Sequence, residues 1–452
     1  MPWTIQVACA FVLFVSNTFA QVYHYETGKV IPVSRPGQII WKEGVFQNFL
    51  ADYGTLVVLE NPKNPKSKLI NIPVIKVKCL QPDSVKEPHF VLHGGPGESN
   101  IQTTLLFSGM LQKHDVILVG YRGVDGSVSL QEPHYQSALT CDSLSLKNQK
   151  IVFAKAAHEA IRFFNEKKIE WEGFGLESVV DDIEEFRKNE GYPKISFLAF
   201  SYGTMIAQLY SETYPQNMET NIYIGARPLG NFWLSDSLFH EQLYQLFKKY
   251  KQQKNEADTS WSDFSRLMAP ALDTHHLAAA DINPVLFDLF FFSQCYSFDN
   301  ALQLFATLDK VPSKGYNKLV QKYKEFYKNY PNLVLGDLLV KKKKWYPHGY
   351  EKESIGNYEC SRIIETLNNW YSPQIDYFLP SGTSGNRTID SILTYFIFGE
   401  FDVASPYKLF EPLILSNYIK AEVAIVPDCS HLDLFYTKKE LLTIRILDII
   451  NQ

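Results

Sequence analysis

Cysteine is scarce in this sequence: six residues are spread over 452 positions, none in a Cys-x-x-Cys pair. A structural zinc module is therefore not expected, and nothing in the composition implies a cofactor. Neither sign of charge dominates, since 44 Lys and Arg stand against 49 Asp and Glu, a net charge of −5. Such a balance makes no field that would draw nucleic acid or an anionic membrane, so recognition is expected in a pocket. Beyond the first twenty residues no apolar run reaches the roughly 20 residues a spanning helix needs, and no membrane span is expected in the mature chain.

What is there begins with a leader. Residues 1–20 hold an apolar run from Val7 to Val15 followed by small residues up to Ala20, though without Lys or Arg before the run. The pattern reads as a signal peptide cleaved after Ala20, which would put the mature chain in the secretory lumen or outside the cell, with an uncleaved membrane anchor as the alternative. Cys9 would leave with it. Cys79, Cys141, Cys295, Cys360 and Cys429 would remain, an odd number that leaves at least one thiol unpaired. A glycosylation sequon, Asn386-Arg387-Thr388, follows a turn-rich stretch where an exposed acceptor loop is expected.

At 45% apolar content the chain can bury a large core. The β-rich runs 55–60 and 72–79, separated by Asn-Pro-Lys-Asn-Pro, predict an antiparallel hairpin. His89 to Leu92 and Val116 to Val119 are short apolar runs that break into glycine-rich loops, as strands of a buried parallel sheet do. Apolar residues then recur at helical spacing over 151–168 and 176–189, followed by a strand over 195–200, a helix over 202–214 and a strand over 222–224. This alternation is the mark of a doubly wound, mostly parallel sheet. From about 229 to 380 helical stretches follow one another instead, and alternation resumes at Thr394. The expected division is a leader at 1–20, a sheet domain at 21–228, a helical cap at 229–385 and the rest of the sheet domain at 386–452.

Chemistry points to Ser201. It stands where the strand ending at Phe200 turns into a helix, with Ala199 and Gly203 two places to either side. Small residues let such a tight turn bring backbone close to backbone, and the helix start offers amides to an oxyanion. An acid and a histidine follow in the order Ser, acid, His: Asp402 in Gly399-Glu400-Phe401-Asp402, then His431 in Asp428-Cys429-Ser430-His431, each after a strand. A serine hydroxyl needs a base to take its proton, and neutral imidazole, with an ordinary pKa of about 6.5, is suited to that. Asp402 would orient the ring, with Glu400 as the rival acid. The oxyanion would be met by Tyr202 and by the Gly94-Gly95 stretch, with Gly95 the favoured donor.

His93-Gly94-Gly95-Pro96-Gly97 resembles the HGGPG loop of proline iminopeptidases and tripeptidyl aminopeptidases. Arg122-Gly123 with Ser127 is similar to their R-G-x-G-x-S stretch, Ser201-Tyr202-Gly203-Thr204 to the S-Y-G-T elbow, and Gly399-Glu400-Phe401-Asp402 to the G-E-x-D loop. The resemblance covers about Phe90 to Gly230 and Thr394 to the C-terminus. It implies an α/β-hydrolase fold with an inserted helical cap, and a Cys295–Cys360 disulfide in that cap. Two positions depart from it: Ala199 replaces a glycine at the elbow, and Asp125 stands where the R-G loop has glycine.

Within the resemblance, the favoured reading is an exopeptidase acting on peptide N-termini, whose free amine would meet an acid such as Glu98, Asp236, Glu241 or Asp288. An esterase, lipase or amidase on the same three residues is the alternative, supported by 14% aromatic content and the Phe290-Phe291-Phe292 run. A binding protein without catalysis is disfavoured because all three positions are filled.

Overall fold

The computed structural model describes residues 35–82, 86–102, 108–139, 141, 148–227, 229, 236–256, 258–272, 283–309, 312–328, 334–341 and 392–450. The expected leader, Cys360 and the Asn386 sequon lie outside these residues.

Nine strands form one sheet: β1 (Ile39–Phe46), β2 (Phe49–Leu59), β3 (Leu69–Val77), β4 (His89–Leu92), β5 (Val116–Val119), β6 (Ile195–Phe200), β7 (Met218–Ile224), β8 (Leu393–Gly399) and β9 (Ala421–Val426). Their order is β1-β2-β3-β5-β4-β6-β7-β8-β9. β1, β2 and β3 pair antiparallel and β3 joins β5 in the same sense, whereas every pairing from β5 to β9 is parallel. The parallel part runs as expected through the shortest, most apolar strands: every residue of β4, β5 and β6 is buried. Such strands need cover on both faces.

That cover alternates residue by residue. Phe90, Leu92, Phe197 and Ala199 face the cluster built with the helices Gln149–Glu166, Leu176–Glu190 and Tyr202–Thr213, while Val91, Leu198 and Phe200 face a second cluster with Leu442 and Ile446 of the C-terminal helix Lys439–Ile450. The fold is thus an α/β layered structure with helices on both sides of a mostly parallel sheet. Each fully buried Phe contributes on the order of 1.5–3 kcal/mol through burial.

β1 escapes the sequence reading. Its run carries Lys42, Glu43 and Gly44, and its turn to β2 has no glycine; Gln47 and Asn48 take left-handed backbone instead, at φ of 49° and 73°. Two left-handed central residues make the turn whose twist matches a hairpin, so the pairing Phe46 to Phe49 follows.

Between β7 and β8 the described residues hold six helices and no strand: Asp236–Gln253, Trp261–Leu272, Pro284–Gln294, Phe298–Asp309, Pro312–Lys328 and Leu335–Lys341. Phe290, Phe291 and Phe292 are all buried in their core, so that run is packing. Cys295, at the end of the same helix, is a buried free thiol. Cys360, with which the resemblance pairs it, lies outside the described residues; burial in apolar surroundings raises the pKa of the Cys295 thiol.

Candidate active site

Ser201 sits between β6 and the helix Tyr202–Thr213 with φ 48° and ψ −117°, a left-handed backbone that costs a non-glycine residue roughly 1–3 kcal/mol. Neighbours hold it there. Its amide donates to the Ile224 carbonyl of β7 at 2.9 Å, and its carbonyl accepts from the Thr204 amide at 3.0 Å and the Thr204 hydroxyl at 2.6 Å. Gly203 is required because a Cβ there would collide with the Leu92 carbonyl oxygen. Ala199 sits within regular strand, paired to Leu92 and Tyr223, where a methyl is accommodated.

His431 follows β9, and its ring bridges the other two residues. Nε2 lies 2.9 Å from Ser201 Oγ, and Nδ1 lies 2.8 Å from Asp402 Oδ2. Asp402 is fully buried, and its Oδ1 accepts from the amides of Ala404 at 2.8 Å and Ser405 at 2.7 Å, which fixes the carboxylate. With Nδ1–H donating to Asp402, Nε2 is left to accept the Ser201 proton. Glu400 is exposed and accepts from the Asp428 amide, so this rival acid stands on the rim. Phe200 and Tyr296 flank the imidazole at ring centroid distances of 5.0 and 5.4 Å.

The glycine loop after β4 lies against this group. A Cβ on Gly94 would be 2.9 Å from Ser201 Cβ, so glycine lets the loop backbone pass beside the hydroxyl; Gly95 has φ 70°. Tyr202, directly after Ser201, opens the helix on the other side.

Sequence reasoning missed the residues that hold this loop. Asn100 is buried; its Oδ1 accepts from the His93 amide at 2.7 Å, and its Nδ2 donates to the Val91 and Val119 carbonyls. Asp125 accepts from the amides of Asn100 at 2.9 Å and Tyr121 at 2.8 Å, so the residue that departs from the resemblance clamps the loops after β4 and β5 together. Asp337, from the helix Leu335–Lys341, accepts from the Gly97 amide at 2.9 Å. A second set ties the helical segment to His431: Leu432 donates to the Tyr296 carbonyl at 2.8 Å, Ser430 Oγ to the Cys295 carbonyl at 2.7 Å, and the amides of Ser430 and Phe298 both to Asp433 Oδ2. Only the distance in sequence hid them.

Arg122 of the second loop is fully buried and grips Asp182 through two hydrogen bonds, while its Nη1 donates to the Glu60 and Gly173 carbonyls and its Nη2 to the Leu59 carbonyl. Its role is to join elements away from Ser201. Among the acids, Glu241 is paired with Lys408 at the surface and Asp288 is fully buried in its helix. The side chain of Asp236 lies outside the described residues. Glu98 belongs to the glycine loop: its carboxylate approaches His93 Nδ1 to 3.5 Å, and desolvation pushes its pKa up to about 7.

The chain matches the alpha/beta hydrolase fold family over residues 90–332. A putative hydrolase, YuaR of Escherichia coli (strain K12), is 26% identical over 167 residues; the match takes in 34% of this chain and only 32% of that protein's length. Among solved structures, a thermophilic esterase from Thermogutta terrifontis aligns at 11% identity and a TM-score of 0.42, covering 88% of this chain and 98% of its own. Rv0554 from Mycobacterium tuberculosis aligns at 11% identity and a TM-score of 0.41, covering 90% and 97%.

Proposed function

The chain belongs to the α/β-hydrolase fold family, and on that premise we propose that it is a secreted serine hydrolase that removes residues from the N-termini of peptides through an acyl-enzyme on Ser201. The observation that carries this reading is the unbroken hydrogen-bonded line from Ser201 Oγ through His431 to Asp402. In it Ser201 Oγ attacks the substrate carbonyl carbon as its proton passes to His431 Nε2, and Asp402 stabilises the imidazolium. The carbonyl oxygen, now anionic, takes hydrogen bonds from the Tyr202 amide and from the Gly94-Gly95 backbone, donors of the kind worth about 10²–10³ in turnover each. The carbon–nitrogen bond breaks as the leaving amine takes the proton from His431. Water, deprotonated by the same ring, then releases the acyl group from Ser201.

Glu98 supports the peptidase part. A carboxyl group on the loop beside Ser201, desolvated enough to titrate near pH 7, gains from a substrate ammonium the charge partner it lacks. A carboxylesterase or amidase using the same three residues is the second reading, favoured by the aromatic rings of Phe200 and Tyr296 beside His431. Turnover of aminoacyl amides, their N-acylated counterparts and short-chain esters separates the two. Cleavage that demands a free amine supports the exopeptidase; indifference to the amine, with ester cleavage, replaces it by the esterase.

A further inference from the structure

We propose that Glu87, His89 and His114 bind one divalent transition-metal ion, zinc by the chemistry of the ligands, at the edge of the sheet opposite Ser201. One ligand atom from each residue lies within 4.8 Å of those of the other two. Two atoms each about 2.1 Å from one ion stand at most about 4.2 Å apart, so the side chains must draw together, Glu87 most of all, since its Oε1 stands 3.8 Å from His114 Nδ1 and has to swing toward Nε2. Glu87 has the freedom for this, with 28% of its side chain exposed, whereas the histidines are 1–2% exposed.

The histidines carry the independent observation. His89 Nδ1 and His114 Nε2 are both buried and have no hydrogen-bond partner, although a buried polar atom without one is a cost to folding. The rings meet edge to face with centroids 4.5 Å apart, which puts the two imidazoles in direct contact. His114 Nδ1 lies 2.8 Å from the Glu87 carbonyl oxygen and donates to it, which leaves the lone pair on Nε2. An imidazole held by a backbone carbonyl through one nitrogen and open at the other is the arrangement that metal-ligating histidines adopt. Ser196, the register partner of His89 across β4 and β6, adds a third buried polar atom without a partner, its hydroxyl oxygen. Two imidazoles and a carboxylate suit zinc, cobalt, nickel or copper; calcium and magnesium prefer sets of oxygens.

Sequence spacing conceals the set. His89 and His93 stand four apart, a ligand spacing on a helix, but His89 opens strand β4 and His93 follows its end, so extended chain separates them by roughly 13 Å. The neighbour of His89 is His114, which comes 27 residues after Glu87 and stands just before β5, the strand paired to β4. Ser196 is level with His89 and five strand residues before Ser201, on the order of 17 Å, so an ion here braces the sheet and takes no part at Ser201.

The test uses full-length protein without a polyhistidine tag, titrated with zinc by calorimetry, together with His114→Ala and Glu87→Gln. Cobalt(II) serves as a spectroscopic probe. We expect one zinc per chain in the unmodified protein, visible absorption bands of low-symmetry cobalt, affinity lower by about 100-fold or more in His114→Ala, and lower by about tenfold in Glu87→Gln. Fluorophosphonate labelling of Ser201 should be unchanged in Glu87→Gln. No zinc binding by the unmodified protein, or equal affinity in the variants, would overturn the proposal. If His114→Ala does not fold, Glu87→Gln decides, because the Glu87 side chain is 28% exposed and lies outside the buried core.

Discussion

Ser201, His431 and Asp402 were legible because each demand on them is local: a tight turn after a strand, a fixed chain order, and loops at the ends of parallel strands. The fold brings the three within hydrogen-bonding distance. Asp402→Asn should reduce turnover by about 10⁴-fold while leaving the fold intact, since the amide turns the imidazole to the wrong tautomer; steady-state kinetics with circular dichroism checks both halves. Glu98 is a different case, because its tuning depends on surroundings that no motif encodes. Its carboxyl titrates near pH 7 in the folded chain and near the ordinary value of 4.5 in the unfolded one. Between those values the folded state holds a proton that the unfolded state has released, so stability attributable to Glu98 falls as pH rises through the window. Glu98→Gln should flatten that part of the profile, read as melting temperature at pH 5 and pH 8. For substrates with a free amine, KM should fall as pH rises through about 7 in the unmodified protein, and Glu98→Gln should raise it without changing KM for N-acylated analogues.

At the scale of elements, the short strands were readable from composition alone, because a strand buried on both faces must be apolar throughout. β1 was not, since half of it faces solvent and its turn relies on Gln47 and Asn48 where a glycine would have flagged it. The clamps between loops were equally hidden. Asp125 reads as a departure until its carboxylate is seen to hold the amides of Asn100 and Tyr121. Arg122 joins the loop after β5 to the helix Leu176–Glu190 through Asp182, and both side chains are at most 2% exposed. Arg122→Leu leaves a buried carboxylate without its partner, which should destabilise the protein by about 3–5 kcal/mol, whereas pairing it with Asp182→Leu should cost less. Urea unfolding midpoints of the single and double variants provide the comparison.

Across the whole molecule, the geometry of Ser201, His431 and Asp402 depends on contact between the sheet and the helices that follow β7. The His431 loop is fastened to that segment at Tyr296, Cys295 and Phe298, and Asp433 takes two of the amides involved. Asp433→Ala leaves both amides unpaired in a buried place, a loss of about 1–3 kcal/mol in stability for each group left without a partner. Turnover should fall more than KM rises, because the imidazole and not the substrate pocket loses its support.

The most direct measurement is fluorophosphonate labelling of the purified protein beside Ser201→Ala, with the labelled residue located by mass spectrometry. Stoichiometric modification of Ser201, no labelling or turnover in Ser201→Ala, and an unchanged melting transition are expected. Labelling at another serine, or turnover that survives Ser201→Ala, would contradict Ser201 as the nucleophile.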